Sequence, residues 1–130
     1  MDHIAIDLGG RESQICVRRS DGTIVEEKRM STRGLGAWLA RRPKSRVIVE
    51  TCAEGFAVAD AAKKAGHEVR VVPGTLVRAL GVGARGVKTD RRDAQALSEA
   101  SCRMDLPSVH VPSWGSRERK AMSGMREGLV

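Results

Sequence analysis

Asp90 and Asp93 lie one helical turn apart in the stretch Lys-Thr-Asp-Arg-Arg-Asp, residues 88–93, which opens a helix predicted to end at Met104. No Gly or Pro interrupts this helix, and its alanines favour helical backbone. The apolar stripe on its core-facing side consists of Leu97, Ala100 and Met104. Extended backward, the stripe meets the two acids, and burying two like charges is costly unless a cation lies between them. A divalent metal ion would meet that need, although acids in a first helical turn also serve as N-caps and suit the helix dipole.

Two further acids end predicted strands. Ile4-Ala5-Ile6 is a short apolar run that closes on Asp7 before a Gly-Gly turn, and Val47-Ile48-Val49 is a β-branched run that closes on Glu50. In open α/β sheets, ligands bind at the carboxyl ends of the strands. If the two strands are parallel neighbours, Asp7 and Glu50 lie side by side, and the late helix brings its own two acids across the same edge.

Four converging carboxylates would not all stay ionised without a cationic partner. Their oxygens are the ligands that Mg²⁺ prefers, and two such ions can stabilise the attacking and leaving oxygens of a phosphodiester displacement. The sequence therefore predicts a catalytic metal site formed by four acids: Asp7, Glu50, Asp90 and Asp93. A single acid at a strand end is more often a turn residue, so the prediction depends on all four meeting at one place.

The predicted order of elements is β-β-β-α-β-α-β-α-α. Asp21-Gly22 is a strong hairpin signal between two strands, and the spacing of Leu35, Trp38 and Leu39 predicts a short helix. Residues 51–65 are predicted to form a helix whose inward side consists of Phe56, Ala57, Ala61 and Ala65. A hairpin meander followed by alternating units predicts an α/β fold with a mixed sheet, in which antiparallel strands precede parallel ones and helices cover both faces.

The composition suits one globular domain with a polyanionic partner. The 130 residues are enough for a modest core, and a net charge of +7 with a pI near 10.0 favours nucleic acid as the partner. A basic surface that only keeps the protein soluble is the alternative. With Trp38, Trp114 and Phe56 as the only aromatic residues, the sequence argues against a stacking platform for single-stranded nucleic acid.

The three cysteines form no CxxC or Cys/His pattern, so neither a disulfide framework nor a zinc site is supported. Cys16 and Cys52 lie in apolar runs and are predicted to be small core residues. No secretory leader opens the chain and no apolar run has membrane-spanning length, so we expect a cytoplasmic protein without membrane contact.

Residues 81–86 match G-x-G-x-x-G literally. A dinucleotide site requires this motif to follow a strand and open a helix, whereas a short helix is predicted before it. We therefore predict a loop and no cofactor there. Four cations in and after this loop are candidates for phosphate contacts with nucleic acid, with a solvated basic surface as the alternative: Arg85, Lys88, Arg91 and Arg92.

Three motifs in this order resemble the IS110 family of transposases: Ala5-Ile6-Asp7-Leu8-Gly9, Val47-Ile48-Val49-Glu50-Thr51-Cys52 and Lys88-Thr89-Asp90-Arg91-Arg92-Asp93-Ala94. The resemblance implies a RuvC-like domain of RNase H fold with a D-E-D-D tetrad. Position by position, the tetrad corresponds to Asp7, Glu50, Asp90 and Asp93. It also implies metal-dependent DNA strand cleavage and exchange in transposition, with Mg²⁺ or Mn²⁺ as cofactor. The implied partners are DNA, a structured guide RNA and, in the full-length protein, further copies of the chain.

Members of that family continue through a long helical segment into a C-terminal domain that carries a catalytic serine. The chain stops at Val130, about where that segment should begin, and the serine has no counterpart. The expected division is a RuvC-like domain over residues 1–106 and, over residues 107–130, an extended linker with the start of a truncated helical segment. We therefore expect metal binding from this chain, and expect independent recombination to need the missing domain.

Two other functions remain open. A non-catalytic module that binds nucleic acid or another subunit would account for the +7 charge and the basic tail. A Holliday-junction resolvase of the same fold would need no further domain, but the Lys-Thr-Asp-x-x-Asp-Ala motif resembles the transposases more closely.

Overall fold

The computed structural model describes residues 1–79 and 90–109, without the side chains of residues 53, 77–79 and 90–92. The strands are β1 (His3–Asp7), β2 (Glu12–Arg18), β3 (Ile24–Ser31), β4 (Arg46–Glu50) and β5 (Glu68–Val72). The α-helices are α1 (Leu35–Ala40), α2 (Ala53–Lys64), α3 (Gly74–Ala79) and α4 (Asp90–Arg103), and a 3₁₀ turn (Thr32–Gly34) precedes α1. The predicted succession of strands and helices is confirmed.

The strands of this described part form one mixed sheet in the order β3-β2-β1-β4-β5. β1 pairs antiparallel with β2, and β2 with β3, so the predicted meander is confirmed. In the turn between β2 and β3, Gly22 has a φ of +95°, where glycine is favoured, and the Thr23 amide donates a 2.8 Å hydrogen bond to Asp21. β1 also pairs in parallel with β4, and β4 with β5.

Alternating side chains of β1 and β4 enter two separate cores. Ile4 and Ile6 belong to the larger core, which α1 and α2 cover, whereas Ala5 belongs to the smaller core beneath α4. In β4, Val47 and Val49 enter the larger core and Ile48 the smaller one, and all of these side chains are fully buried. The prediction of helices on both faces of the sheet is therefore confirmed.

Two predicted burial patterns are wrong. The buried side of α2 consists of Gly55, Val58, Ala59 and Ala62, whereas Ala57 is exposed and Phe56, Ala61 and Ala65 are only half-buried. Because alanine occurs on every side of this helix, the hydrophobic periodicity hardly distinguishes the buried side from the exposed side. The β-branched Val58 lies on the side that is buried. Met104, predicted to continue the stripe of α4, is 48% exposed because the helix ends at the preceding residue.

No helix within residues 1–79 and 90–109 is long and apolar enough to span a membrane; the longest, α4, has 14 residues.

His3 and His67 are buried, while His110 lies outside the described residues. The His67 ring accepts a 3.0 Å hydrogen bond at Nδ1 from the Ser45 amide and lies 2.7 Å through Nε2 from the Leu39 carbonyl oxygen. Because a carbonyl oxygen only accepts, Nε2 must donate, and these contacts select the neutral Nε2-protonated ring. His67 thereby ties the end of α1 to the segment that leads into β4.

His3 links β1 to α4, because its Nδ1 lies 2.6 Å from the hydroxyl of Ser101. Burial lowers the pKa of this histidine below its ordinary value of 6.5, and the positive charges of Arg46 and the N-terminus lower the pKa further, against the opposing charges of Asp2 and Glu68. The unfolded chain therefore takes up this proton more readily than the folded protein does.

Replacing His3 with asparagine should flatten the pH dependence of stability. The wild-type free energy of unfolding should fall as the pH drops below 6.5, because the unfolded state then binds the extra proton. Asparagine keeps a polar partner for Ser101 but does not titrate, and the neighbouring charges stay the same in both proteins. Urea unfolding between pH 7.5 and pH 5 measures the difference, and parallel curves for the two proteins would contradict the assignment.

Candidate metal and catalytic site at the sheet edge

Asp7 and Glu50 end two neighbouring parallel strands. The register between β1 and β4 pairs His3 with Arg46 and runs up to Ile6 with Val49. Asp7 and Glu50 are the next residues of the two strands and therefore lie at the same level of the sheet. Asp7 and Glu50 therefore end parallel neighbouring strands, the arrangement under which they were predicted to lie side by side.

Both acids also lie on the same face of the sheet. Side chains alternate along a strand, so Asp7 shares the face of Ala5, and Glu50 shares the face of Ile48. Ala5 and Ile48 both belong to the smaller core beneath α4. Asp7 is half-buried and Glu50 is exposed, so this pair lies where that core opens to solvent.

Helix α4 runs antiparallel to β1 across this face. Ser101, late in the helix, contacts His3 at the start of β1, and Ser98 lies 3.3 Å from Cys16, whose strand partner is Ala5. From Ser98 back to Asp93 the helix rises about 7.5 Å, and from Ala5 on to Asp7 the strand rises about 7 Å. These two contacts therefore bring Asp93 to the level of Asp7.

Asp93 is 3% exposed and lies on the same side of α4 as the buried Leu97 and Ala100. The prediction that the apolar stripe continues backward into an acid is confirmed for this residue. Asp7 and Asp93 both interact with other groups, so neither is an isolated charge. Asp90 is the first residue of α4, one turn earlier, but its side chain is not among those described.

The turn that follows Asp7 is held by hydrogen bonds and by close backbone contact. Thr32 donates a 2.7 Å hydrogen bond to the Gly9 carbonyl, and its hydroxyl lies 2.7 Å from that of the buried Ser13. A Cβ atom on Gly9 would lie 2.2 Å from the carbonyl oxygen of Glu12, so only glycine fits there. The carboxyl end of β1 is thus fixed by β2 and by the 3₁₀ turn.

The turn that follows Glu50 is also tightly packed. The Thr51 amide donates a 2.9 Å hydrogen bond to Val72 of β5, and the Cys52 sulfur caps α2 by accepting one of 3.2 Å from Gly55. Cys52 is therefore an N-cap and only half-buried, so its prediction as a core residue is wrong, whereas Cys16 is buried as predicted. Burial raises the pKa of the Cys52 thiol, which favours the neutral form.

Polar contacts from the β2–β3 hairpin hold the middle of α4 in place. Arg18 donates hydrogen bonds of 2.8 Å to the Ser98 hydroxyl and 3.3 Å to the Gln95 carbonyl, and the Gln95 side chain donates one of 2.9 Å to Glu27. These residues were not among the functional candidates predicted from the sequence. Ser98 was the available sequence signal for these contacts, because it lies beside Leu97 of the apolar stripe. A hydroxyl buried there needs a hydrogen-bond partner.

The donor types at this edge suit a hard divalent cation, since carboxylate oxygen is the ligand that Mg²⁺ and Mn²⁺ favour. Over residues 1–79 and 90–109, however, no group of three or more His, Cys, Asp or Glu side chains is arranged to hold a metal ion. The structure brings Asp7, Glu50 and Asp93 to one end of one face, and the four-acid metal site remains a prediction.

The side chains of the four cations predicted to contact phosphate are not among those that the structure describes. Arg85 and Lys88, together with the G-x-G-x-x-G segment, lie outside the described residues, and so do the side chains of Arg91 and Arg92. The backbone of the latter two belongs to the first turn of α4, beside Asp90 and Asp93.

The antiparallel meander, the parallel strands beside it and the acids at the strand ends define an RNase H-like α/β fold. T. thermophilus RuvC, solved in complex with a Holliday junction substrate, is similar with a TM-score of 0.58 and 16% sequence identity. The likeness covers 84% of this chain and 99% of the RuvC chain. At 16% identity this likeness shows a shared fold only, and it confirms the predicted fold class.

The family model of the IS110 DEDD transposases, described as transposase, matches residues 4–130. The chain belongs to this family, so the resemblance drawn from the three motifs is confirmed. The transposase for insertion sequence element IS1328 of Yersinia enterocolitica is 32% identical over an alignment of 130 residues, which covers 98% of this chain and 37% of that protein. The chain thus spans just over a third of the length of this relative.

Gly55→Ala should destabilise the protein because α2 packs directly against the end of β4. The new Cβ would lie 2.3 Å from the Glu50 carbonyl oxygen, and a backbone atom in a paired strand cannot move aside cheaply. We expect a loss of about 1–3 kcal/mol, which exceeds the gain of up to about 1 kcal/mol from replacing a helical glycine.

Gly36→Ala in α1 is the matched control. Its Cβ would meet only the Ala61 side chain, at an ordinary 3.7 Å, so the helix propensity of alanine should stabilise this variant by about 0.5–1 kcal/mol. Urea unfolding gives both free energies, and a shift of the same sign in the two variants would contradict the packing argument.

Proposed function

We propose that this chain carries the catalytic acids of a DNA transposase and cleaves DNA strands with a bound divalent metal ion. The observation that carries the proposal is the meeting of acids from distant parts of the chain at one end of one sheet face. Asp7 and Glu50 lie level on adjacent strands, and the contacts of α4 bring Asp93 to the same level. Membership of the DEDD transposase family supports the same four acids.

The proposed roles follow from how each acid is held. Asp7 and Glu50 end paired strands whose turns are packed against neighbouring backbone, so their separation is fixed. Asp93 is buried on a helix that polar contacts fix to the sheet, and Asp90 lies one turn earlier on the same helix. A bound Mg²⁺ or Mn²⁺ would polarise a phosphodiester and stabilise charge on its attacking and leaving oxygens.

DNA is the substrate that the comparisons support. The curated relative is a transposase of an insertion sequence, and the similar structure holds a Holliday junction. A net charge of +7 suits the binding of either of these DNA substrates. A structured guide RNA and self-association of the longer protein, both implied by the family resemblance, stay predictions, as does the need for a serine-bearing domain.

The second candidate is a nucleic-acid-binding or subunit-binding module without catalysis of its own. It is favoured by the charge and by the absence of a group of acids arranged for a metal within the described residues. A Holliday-junction resolvase is supported only by a likeness of fold, whereas the family match supports a transposase. Cleavage of nicked or branched DNA by the wild type but not by Asp7→Asn would decide against the non-catalytic module.

Asp93→Asn should weaken Mn²⁺ binding by at least about tenfold, because it removes a buried ligand charge while keeping the size of the side chain. Isothermal titration calorimetry measures the affinity, and circular dichroism checks that the variant is folded. Asp105→Asn is the matched control, since this exposed acid pairs with Arg70 on the protein surface. Equal Mn²⁺ affinity in the wild type and in Asp93→Asn would overturn the proposed site.

A further inference from the structure

Positive charge is concentrated in one stretch of this chain. Residues 28–44 contain six Lys or Arg residues and no Asp or Glu, so they supply six of the seven net positive charges. Elsewhere in the sequence the two signs nearly balance. A surface that serves only solubility mixes both signs, whereas a concentration of one sign creates a local field for a charged partner.

The fold places two of these cations against Trp38, whereas Arg29 lies opposite Gln14 on the other face of the sheet. Lys28 lies opposite Ile15 in the sheet, and Ile15 belongs to the larger core, so the Lys28 side chain projects on the face that α1 covers. The Lys28 ammonium lies 5.0 Å from the centre of the Trp38 ring, and the Arg42 guanidinium lies 4.8 Å from it. We call the surface formed by these side chains and the cations at the two ends of α1 the Trp38 surface. Its residues are Lys28, Arg33, Trp38, Arg41, Arg42 and Lys44.

Two of its cations are already held in place. Cation–π contacts with Trp38 restrict Lys28 and Arg42, and Glu26 pairs with both, at 4.0 Å and 2.8 Å respectively. Less side-chain entropy is therefore lost when a ligand binds to them. The Arg42 Nε atom is buried and has no hydrogen-bond partner among the described residues, so packing on the ring, more than bonding at Nε, holds this guanidinium.

The other three cations are free to bind a partner. Arg33, Arg41 and Lys44 are exposed, and none of them forms an ion pair with a described residue. Arg33 precedes α1 and the other two follow it, so they flank a helix about 9 Å long. A nucleic-acid duplex presents a phosphate about every 3.4 Å along each strand. Cations at the two ends of α1 can therefore contact phosphates of the same duplex, whatever its base sequence.

Apart from Arg33, whose 3₁₀ turn contacts the turn that follows Asp7, the Trp38 surface is separate from the acidic edge. Asp7 and Glu50 lie on the face that α4 covers, whereas Lys28 and Trp38 lie on the opposite face, which α1 and α2 cover. Nucleic acid bound here would therefore leave the acids accessible, and its binding would need no metal ion. The cations near the acids, Arg91 and Arg92, belong to a different part of the molecule.

We propose that the Trp38 surface is a second nucleic-acid site, which binds the phosphate backbone of duplex DNA without regard to sequence. The choice of DNA rests on the proposed function, but the binding itself does not depend on the four acids. Each phosphate contact adds about 0.9 to the slope of log affinity against log salt concentration. Loss of the three exposed cations should therefore lower that slope by about 2–3.

The test compares two triple variants of the 130-residue chain, in EDTA, by fluorescence anisotropy with a labelled DNA duplex of arbitrary sequence. One variant is Arg33→Gln with Arg41→Gln and Lys44→Gln. The matched control removes the same charge from exposed positions elsewhere, through Arg19→Gln, Lys63→Gln and Lys64→Gln. We expect a slope lower by about 2–3 in the first and by less than about 1 in the control. Equal losses in the two variants would overturn the proposal, because net charge alone would then account for binding.

A second measurement reports on the surface directly. Trp38 and Trp114 are the only tryptophans, so Trp114→Phe leaves Trp38 as the single fluorophore. Duplex DNA should then change the Trp38 emission with the affinity found by anisotropy, and unchanged emission at saturation would count against the site. The triple variant of Arg33, Arg41 and Lys44 is also tested with duplex RNA. If this variant loses affinity for duplex RNA but keeps its affinity for DNA, the choice of DNA is overturned.

The two proposals fail separately. Asp7→Asn with Glu50→Gln should keep the salt slope of the wild type, because these acids are on the other face. Loss of Mn²⁺ binding with the slope retained would leave the Trp38 surface intact. A clearly higher affinity for DNA in EDTA when the acids are neutralised would place the measured DNA contacts beside the acidic edge, where the carboxylates repel phosphate, and would contradict this second site.

Discussion

The parallel pairing of β1 with β4 is the constraint on which the rest of the structure depends. It joins residues more than forty positions apart and sets Asp7 and Glu50 level on one face of the sheet. Both strands are buried on both sides, so a shift of one residue in either strand would exchange its side chains between the two cores and turn its acid to the other face. The hydrophobic effect that stabilises the sheet thereby also positions the carboxylates.

Polar contacts, more than apolar packing, position helix α4 beside the strand ends that carry Asp7 and Glu50. Its apolar stripe is short, and polar contacts from Arg18, Ser98 and Ser101 determine how the helix lies along the sheet. Hydrogen bonds with buried partners are directional and costly to leave unmade, so they fix the position of a helix more closely than apolar contact alone. The burial of Asp93 follows from that placement.

Much of the fold was predictable because local signals and global packing agree. β-Branched runs bounded by turn residues predicted β1 and β4, and Asp21-Gly22 predicted the hairpin. The inward face of α2 was not predictable, because an alanine-rich helix has little hydrophobic contrast. Of the candidate site, the acids could be selected from their places at element ends, but the contacts of Arg18 with α4 join residues some eighty positions apart and leave no local pattern.

We propose that acids from β1, β4 and α4 surround one divalent cation. Titration of the isotope-labelled protein with Mn²⁺, followed by paramagnetic broadening of its backbone amide resonances, tests this claim most directly. At low Mn²⁺ occupancy we expect amides next to Asp7, Glu50 and Asp93 to broaden together, while those of the β2–β3 hairpin turn stay sharp. Broadening at only one of these three positions, or mainly at the surface pair of Arg70 and Asp105, would contradict it.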